Sequence, residues 1–204
     1  MKLVLATRNK GKIREITEIL APHGFEVLSM DEFPDIVEAE EDGETFKENA
    51  VKKASAVCEQ TGLMALADDS GLEVDCLGGF PGVFSSRFAG EGKNDEANNK
   101  KLLELLKDVP AENRTARFVC VAAVAAPDCF VYTAEGYCEG IIAEEPRGEG
   151  GFGYDPLFYL PEYGKTFAEL DPEIKNRISH RARALAGALD ILLELREFER
   201  EEEE

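Results

Sequence analysis

A short polar segment with three basic side chains follows the first apolar run of the chain and is suited to binding phosphate. Residues 2–6 predict a buried strand, and isoleucines recur at helical spacing from Ile13 onward. Where a strand passes into a helix in an α/β sheet, backbone N–H groups and the positive end of the helix point outward and bind anions. The candidate phosphate loop consists of Thr7, Arg8, Asn9, Lys10, Gly11 and Lys12.

This loop is not a Walker loop, because Ala6 stands where that motif needs glycine and Ile13 where it needs serine or threonine. The charge distribution nevertheless favours an anion site. The 204 residues include 42 acids and 23 bases, with a formal net charge of −19, yet nine of the bases fall in residues 1–14 and 175–183, which contain no acid. A chain of this charge repels anions at long range, so concentrated cations indicate a built site. A basic face that only balances neighbouring acids is the alternative.

Carboxylates come from two further places in the chain. Residues 40–44 form an acidic loop, and Asp68 and Asp69 follow the apolar run 64–67. Oxygen ligands from one or two carboxylates and from substrate phosphates suit Mg²⁺. Adjacent acids at a strand end point to opposite faces, so one can bind the metal while the other orients or deprotonates water. A solvated loop and a polar turn are the alternatives.

A glycine-rich segment at residues 148–153 matches G-x-G-x-x-G, the dinucleotide-binding pattern. That pattern requires a helix after it, and Pro156 disfavours a helical conformation at Asp155. We therefore reject the dinucleotide interpretation. A loop that carries Phe152 and Tyr154 is better suited to stacking on a base, and a plain turn with aromatic residues in the core is the alternative.

Hydrophobic periodicity predicts an α/β fold with a mixed, twisted sheet. The tight link between the two longest strands predicts an antiparallel hairpin. Residues 199–204 form an acidic tail that we expect to be frayed and solvated. The strands are expected at 2–6, 25–28, 64–67, 72–77, 117–126 and 130–137, and the helices at 13–20, 46–57, 94–107 and 178–198.

Composition excludes several classes of protein. A strongly acidic chain is not expected to bind nucleic acid, because phosphate backbones need a basic face. We expect no membrane span and no signal peptide, since the apolar runs are too short. Five cysteines without C-x-x-C spacing indicate reduced thiols rather than a disulfide framework or a zinc site. These features predict a cytoplasmic protein.

Five sequence blocks, taken together and in this order, carry a family resemblance. They are ATRNKGK at 6–12, TFKENAVKKA at 45–54, ADDSGLEVDCLGGFPGVFSSRFAG at 67–90, GGFGYDPLF at 150–158 and SHRARAL at 179–185. On these blocks the chain closely resembles the inosine triphosphate pyrophosphatase family, whose bacterial members are dITP/XTP pyrophosphatases. The match runs from residue 3 to about residue 193.

The resemblance implies a single two-lobed α/β domain at 1–198 with a central active-site cleft, followed by the tail at 199–204, and a homodimer. It implies hydrolysis of ITP, dITP, XTP and dXTP to the monophosphate and pyrophosphate. It also implies one Mg²⁺ per subunit, with Mn²⁺ as a possible substitute.

The same resemblance assigns roles to individual residues. It implies that Asp69 is the general base and a metal ligand, and that Glu41 and Asp68 are the other metal-binding acids. The residues implied to bind substrate are Thr7, Asn9, Lys12, Lys53, Ser70, Phe152, Gly153, Tyr154, Asp155, Lys175, His180 and Arg181. Among these, Lys175, His180 and Arg181 would read the base.

Two other functions remain as alternatives. A nucleotide sensor would use the same loops without turnover, although two adjacent acids beside a triphosphate bring no benefit to a pure binder. A phosphatase would release orthophosphate, but the D-x-D and C-x₅-R patterns of two phosphatase classes are missing from the sequence. The identity of the released product separates these possibilities.

Overall fold

A computed structural model describes residues 1–128 and 130–202. Helices and strands alternate through the first half of the chain, as the periodicity predicts. The strands are β1 (Lys2–Leu5), β2 (Glu26–Ser29), β3 (Met64–Val74), β4 (Thr115–Ala125), β5 (Val131–Ile142), β6 (Phe158–Leu160) and β7 (Lys165–Thr166). The helices are α1 (Lys10–Leu20), α2 (Phe46–Thr61), α3 (Asp95–Leu106), α4 (Pro172–Ile178) and α5 (His180–Glu202).

The strands form one seven-stranded mixed sheet in the order β2-β1-β3-β4-β5-β6-β7. Strand β1 runs parallel to β2 and β3, whereas β6 runs antiparallel to β5 and β7. This confirms the predicted α/β class with a mixed sheet. Strands β4 and β5 are neighbours, and the N–H of Ala126 donates to the carbonyl of Phe130 at 3.0 Å across their short link, as the predicted hairpin requires.

Strand β3 is longer than the sequence predicts. Its residues 68–71 were expected to leave the strand, but β3 continues through them to Val74. The prediction that the strand ends before Asp68 is therefore wrong, as is the alternative of a polar turn. Asp68 is fully buried and Asp69 is 8% exposed. Buried acids can remain in a strand when charged partners compensate them, and such partners surround these two.

The closing helical region is divided into two helices. The predicted helix at 178–198 corresponds to α5, which begins two residues later. A short helix that was not predicted, α4, precedes it, with extended backbone at Ser179 between the two. Helix α4 begins with Asp171 as its N-cap and Pro172 in its first turn, a start signal that the apolar pattern did not reveal. Helix α5 continues through Glu202 into the predicted tail, while Glu203, Glu204 and Cys129 lie outside the described residues.

The chain divides into two compact units. Unit one contains residues 1–69, 120–136 and 181 onward, and unit two contains residues 70–119 and 137–180. Each unit has its own apolar core, built around Leu66 and Leu185 in unit one and around Phe118 and Phe158 in unit two. The single domain and its central cleft stay predictions. Among the described residues, no helix has the length and apolar composition that crossing a membrane requires.

Candidate active site

The predicted phosphate loop lies between β1 and the start of α1. Asn9 is the N-cap of α1, and its side-chain oxygen accepts hydrogen bonds from the N–H groups of Gly11 at 2.9 Å and Lys12 at 3.2 Å. The hydroxyl of Thr7 accepts one from the N–H of Asn9 at 3.2 Å. Some of the N–H groups at this helix start are thus satisfied within the loop, so the side-chain cations carry much of its capacity to bind an anion.

The two more exposed bases of the loop differ in their surroundings. Arg8 forms ion pairs with Asp31 and with Glu38, the latter at 2.6 Å. All three side chains are largely exposed, so these pairs contribute little to stability. Lys10 is exposed in the first turn of α1. Substrate binding by Arg8 and Lys10 stays a prediction.

Lys12 enters a buried chain of ion pairs that is centred on Asp68. One carboxylate oxygen of Asp68 lies 2.9 Å from Lys12 Nζ and 3.2 Å from a terminal nitrogen of Arg181. The other terminal nitrogen of Arg181 lies 2.5 Å from the carboxylate of Glu15, which is itself buried on α1. The four charged groups therefore alternate in sign as Lys12, Asp68, Arg181 and Glu15.

This arrangement determines the protonation of Asp68. Burial alone would raise its pKa, but Lys12 and Arg181 outweigh that effect and hold the pKa of Asp68 well below its usual range. Burial opposes the charge of Arg181 in the same way, yet Asp68 and Glu15 raise the pKa of that guanidinium further. The thiol of Cys120 lies 3.8 Å from Asp68, and burial together with that carboxylate raises the thiol pKa. Asp68 is thus anionic and Cys120 is a neutral thiol.

A second cluster joins Lys53 on α2 to two acids. Lys53 Nζ lies 2.9 Å from Glu41, 2.9 Å from Asp69 and 2.8 Å from the backbone carbonyl of Asp68. Burial disfavours the ammonium charge, but Asp69 and Glu41 outweigh it and raise the pKa of Lys53 to about 12. The pKa of Asp69 is raised by its burial, although Lys53 and Lys12 offset part of that effect.

The second cluster is chemically suited to Mg²⁺. Glu41 and Asp69 reach the same ammonium nitrogen, so their oxygens converge on one region that already holds positive charge. Among the described residues, no group of three or more His, Cys, Asp or Glu side chains could hold a metal by itself. Two converging carboxylates are nevertheless sufficient where substrate phosphates complete the coordination. Asp68 stays a predicted ligand, and its carboxylate contacts Lys12, Arg181 and the thiol of Cys120.

The glycine-rich loop of unit two is organised around Asp155. Its carboxylate accepts hydrogen bonds from the N–H of Phe152 at 2.9 Å and from Lys175 Nζ at 2.7 Å. Gly151 has φ of +74°, and a Cβ there would lie 1.9 Å from that carboxylate, so only glycine fits. Lys175 also lies 5.1 Å from the ring centre of Phe152. Phe152, Asp155 and Lys175 are therefore brought together, while their contact with a nucleotide stays a prediction.

Helix α3 holds this loop from a second direction. Asp95 accepts a hydrogen bond from the N–H of Gly153 at 2.7 Å, and Asn99 donates one to the carbonyl of Gly153 at 2.9 Å. The backbone then passes through a turn, and β6 begins at Phe158, which confirms that this is not a dinucleotide fingerprint. The contacts of Asp95 and Asn99 with this loop were not predicted, because nothing in the sequence near them indicates that Gly153 is their partner.

Three further predicted substrate-binding residues, Tyr154, His180 and Ser70, are buried or half-buried. Tyr154 lies in the core of unit two, and its hydroxyl donates to the carbonyl of Ser85 at 2.8 Å, so its ring is a core residue rather than an exposed stacking surface. His180 is buried against Phe118, with parallel rings whose centres are 4.5 Å apart. Ser70 is half-buried on β3, directly after Asp69.

The chain is similar to known proteins over nearly its whole length. Residues 3–191 match the model of the Ham1 family. A dITP/XTP pyrophosphatase of Desulforamulus reducens is 64% identical over 94% of this chain and 96% of its own length, and one from Geobacter sulfurreducens is 58% identical over the same shares. The solved structure of a HAM1 protein from Coxiella burnetii superposes with a TM-score of 0.86 at 44% identity, covering 95% of this chain and 99% of that one.

Proposed function

The chain belongs to the Ham1 family, and we propose that it hydrolyses the non-standard purine nucleoside triphosphates ITP, dITP, XTP and dXTP to the monophosphate and pyrophosphate. Such an enzyme removes these nucleotides from the cellular pool. The observation that carries the proposal is the convergence of Glu41 and Asp69 on Lys53, beside the Lys12–Asp68 ion pair of the phosphate loop. The names of the relatives from D. reducens and G. sulfurreducens support the same reaction.

In the proposed mechanism, Asp69 accepts a proton from the water that attacks the α-phosphorus, and pyrophosphate leaves. A positioned base contributes about 10²–10⁴-fold. Lys12 and Lys53 hold the triphosphate, while Asp68 fixes the position of Lys12. Glu41 and Asp69 would hold Mg²⁺, which when bound neutralises phosphate charge and stabilises the departing pyrophosphate.

Selectivity is proposed to come from hydrogen bonds to the purine edge. Hypoxanthine and xanthine present an acceptor oxygen at position 6, where adenine presents an amino donor. Donors from Lys175, His180 and Arg181 would therefore favour the oxygen. The loop at 152–155 would hold the base and the sugar, with Phe152 as the aromatic contact. We further propose one Mg²⁺ per subunit, replaceable by Mn²⁺, a homodimer and a cytoplasmic location, all on the family resemblance.

The test is product analysis with purified protein. The protein is incubated with MgCl₂ and separately with ITP, XTP, GTP and ATP, and pyrophosphate and orthophosphate are assayed in parallel. We expect pyrophosphate from ITP and XTP and little from ATP or GTP. Tight ITP binding without any product would instead indicate a sensor, and orthophosphate from every nucleotide would indicate a phosphatase. Either result would refute the proposal.

A further inference from the structure

An acidic strap, residues 41–44, lies along the start of α2 and is attached to it at every residue. Successive strap residues meet helix residues in reverse order, so the strap runs back along the helix. Two attachments use side-chain charges and two use backbone N–H groups. They are Glu41 to Lys53 at 2.9 Å, Asp42 to Lys52 at 2.5 Å, the N–H of Gly43 to Asn49 at 2.8 Å, and the N–H of Glu44 to Glu48 at 2.8 Å.

Asn49 also contacts Asp69, as Lys53 does, but through a neutral amide. It is 1% exposed, and its side-chain N–H group donates to Asp69 Oδ2 at 3.2 Å. A backbone N–H can only donate, so the amide oxygen of Asn49 must face Gly43, which directs the amide nitrogen toward Asp69. One helical turn further on, Lys53 binds the other oxygen of the same carboxylate.

Gly43 lies too close to helix α2 to carry a side chain. A Cβ at Gly43 would lie 2.7 Å from the side-chain oxygen of Asn49 and 2.9 Å from the Cβ of Glu48, distances that side-chain carbons do not adopt. The close approach of the strap therefore depends on a glycine at this position. Glu41 stands two residues earlier, so its place along α2 is set in part by the bond between Gly43 and Asn49.

We propose that Asn49 is a positioning residue of the site, a role that rests on the proposed function. One end of its amide orients the carboxylate of Asp69, and the other end fixes the strap that carries Glu41. Asn49 thus contributes to the relative placement of the two acids, beside the ammonium of Lys53, which contacts both of them. Catalysis depends on such placement to within fractions of an ångström, so loss of Asn49 is expected to lower turnover more than substrate binding.

Two substitutions separate the two ends of the amide. Asn49→Leu removes both contacts, whereas Asn49→Asp keeps an acceptor oxygen for Gly43 and replaces the donor to Asp69 by a second acceptor. Asn98 provides the matched control. It is a buried asparagine, 2% exposed, whose oxygen accepts from the N–H of Ala89 at 2.7 Å and whose nitrogen donates to the carbonyl of Ser86 at 3.1 Å.

Steady-state kinetics with ITP and MgCl₂ give the first readout. We expect both Asn49 variants to lose about 30-fold or more in kcat, with KM changed by less than about 3-fold. Asn98→Leu is expected to lose comparable stability but to keep kcat within about 3-fold of wild type. If Asn49→Leu does not fold, Gly43→Ala disturbs the same contact from the strap side and is expected to lower kcat in the same sense.

Amide hydrogen exchange of residues 41–44, measured without nucleotide or metal, gives a readout that does not depend on activity. Exchange at Gly43 is expected to be faster in Asn49→Leu and close to wild type in Asn49→Asp. Unchanged exchange at Gly43 in Asn49→Leu, or equal kcat values for Asn49→Leu and Asn98→Leu, would overturn the positioning role of Asn49 and leave the proposed function standing. A wild-type protein that releases no pyrophosphate from ITP would overturn the proposed function, and this role with it.

Discussion

Replacing Lys53 by methionine removes one positive charge from the site and leaves the length of the side chain nearly unchanged. The ammonium is surrounded by Glu41, Asp69 and the carbonyl of Asp68, and its side chain is only 12% exposed, so solvent screens these contacts weakly. The rise of its pKa from 10.5 to about 12 corresponds to about 2 kcal/mol, at about 1.4 kcal/mol for each pKa unit. We therefore expect Lys53→Met to lose about 2 kcal/mol of unfolding free energy at neutral pH.

This loss is smaller than the 3–5 kcal/mol that is typical when one partner of a fully buried pair is removed. The reason is that Glu41 is 31% exposed and can be rehydrated. The pH dependence follows from the direction of the shift. Because the folded pKa of Lys53 lies above its unfolded value, the stabilisation is complete below pH 10.5 and is lost as the pH rises through about 12. The difference between wild type and variant should disappear over that interval.

Urea unfolding followed by circular dichroism, with and without MgCl₂, measures both effects. Without Lys53, the carboxylates of Glu41 and Asp69 lose the ammonium that they share, so MgCl₂ should stabilise the variant more than the wild type. Lys52→Met is the matched control, because Lys52 pairs with Asp42 on the same helix but both side chains are exposed. We expect that control to unfold like the wild type. Equal stability of the two lysine variants, or no added effect of MgCl₂, would refute the reasoning.

Four further predictions concern neighbouring residues. Asp69→Asn should lower kcat by about 10²–10⁴-fold while calorimetry shows ITP binding retained, and near-normal turnover would contradict its role as base. Arg181→Met leaves Glu15 and Asp68 without their shared guanidinium and should lower the unfolding free energy by about 3–5 kcal/mol, measured in urea, and a loss below about 1 kcal/mol would count against the buried network. Because the pKa of Asp68 is depressed in the fold, its charge contributes stability above pH 3.8, and this stability is lost as the pH falls from 3.8 toward the lower folded pKa. The acid unfolding curve of Asp68→Asn should therefore lack this loss. Tyr154→Phe should lose about 1 kcal/mol through its hydrogen bond to Ser85 and keep the preference for ITP over ATP, and a changed preference would contradict its place in the core.

The sequence predicts the elements whose signals are local. Isoleucine spacing identifies α1 and its last residue, Leu20, although α1 begins at Lys10, three residues before the predicted start. Gly24, at φ of +78°, ends the short 3₁₀ turn that follows. Asn94 is the N-cap of α3, within one residue of the predicted start. The position of the phosphate loop follows from the same local reasoning, because a strand and a helix on either side determine where the loop must lie.

Signals that depend on distant partners were not predictable. Three polar residues followed by a glycine, beginning at Asp68, normally mark a turn, and nothing nearby indicates that β3 continues through them. The compensating charges come from Lys12 and from Arg181, which is 113 residues away along the chain. The sequence identified these residue types as functional, but the pairing that keeps them in a strand exists only in three dimensions. Asn49 was missed for the same reason.

The charges of unit one explain how an acidic chain can act on a polyanion. In the ion pairs described here, Lys12, Lys53 and Arg181 face Glu15, Glu41, Asp68 and Asp69, which leaves one formal negative charge. Each cation is therefore already committed to a carboxylate, and a bare triphosphate would have to compete with those acids. If the proposed Mg²⁺ arrives with the nucleotide, Glu41 and Asp69 would hold it, and Lys53 would then be free to turn toward phosphate. On this reasoning the metal would assist nucleotide binding as well as hydrolysis, because it would replace the ammonium between the two acids.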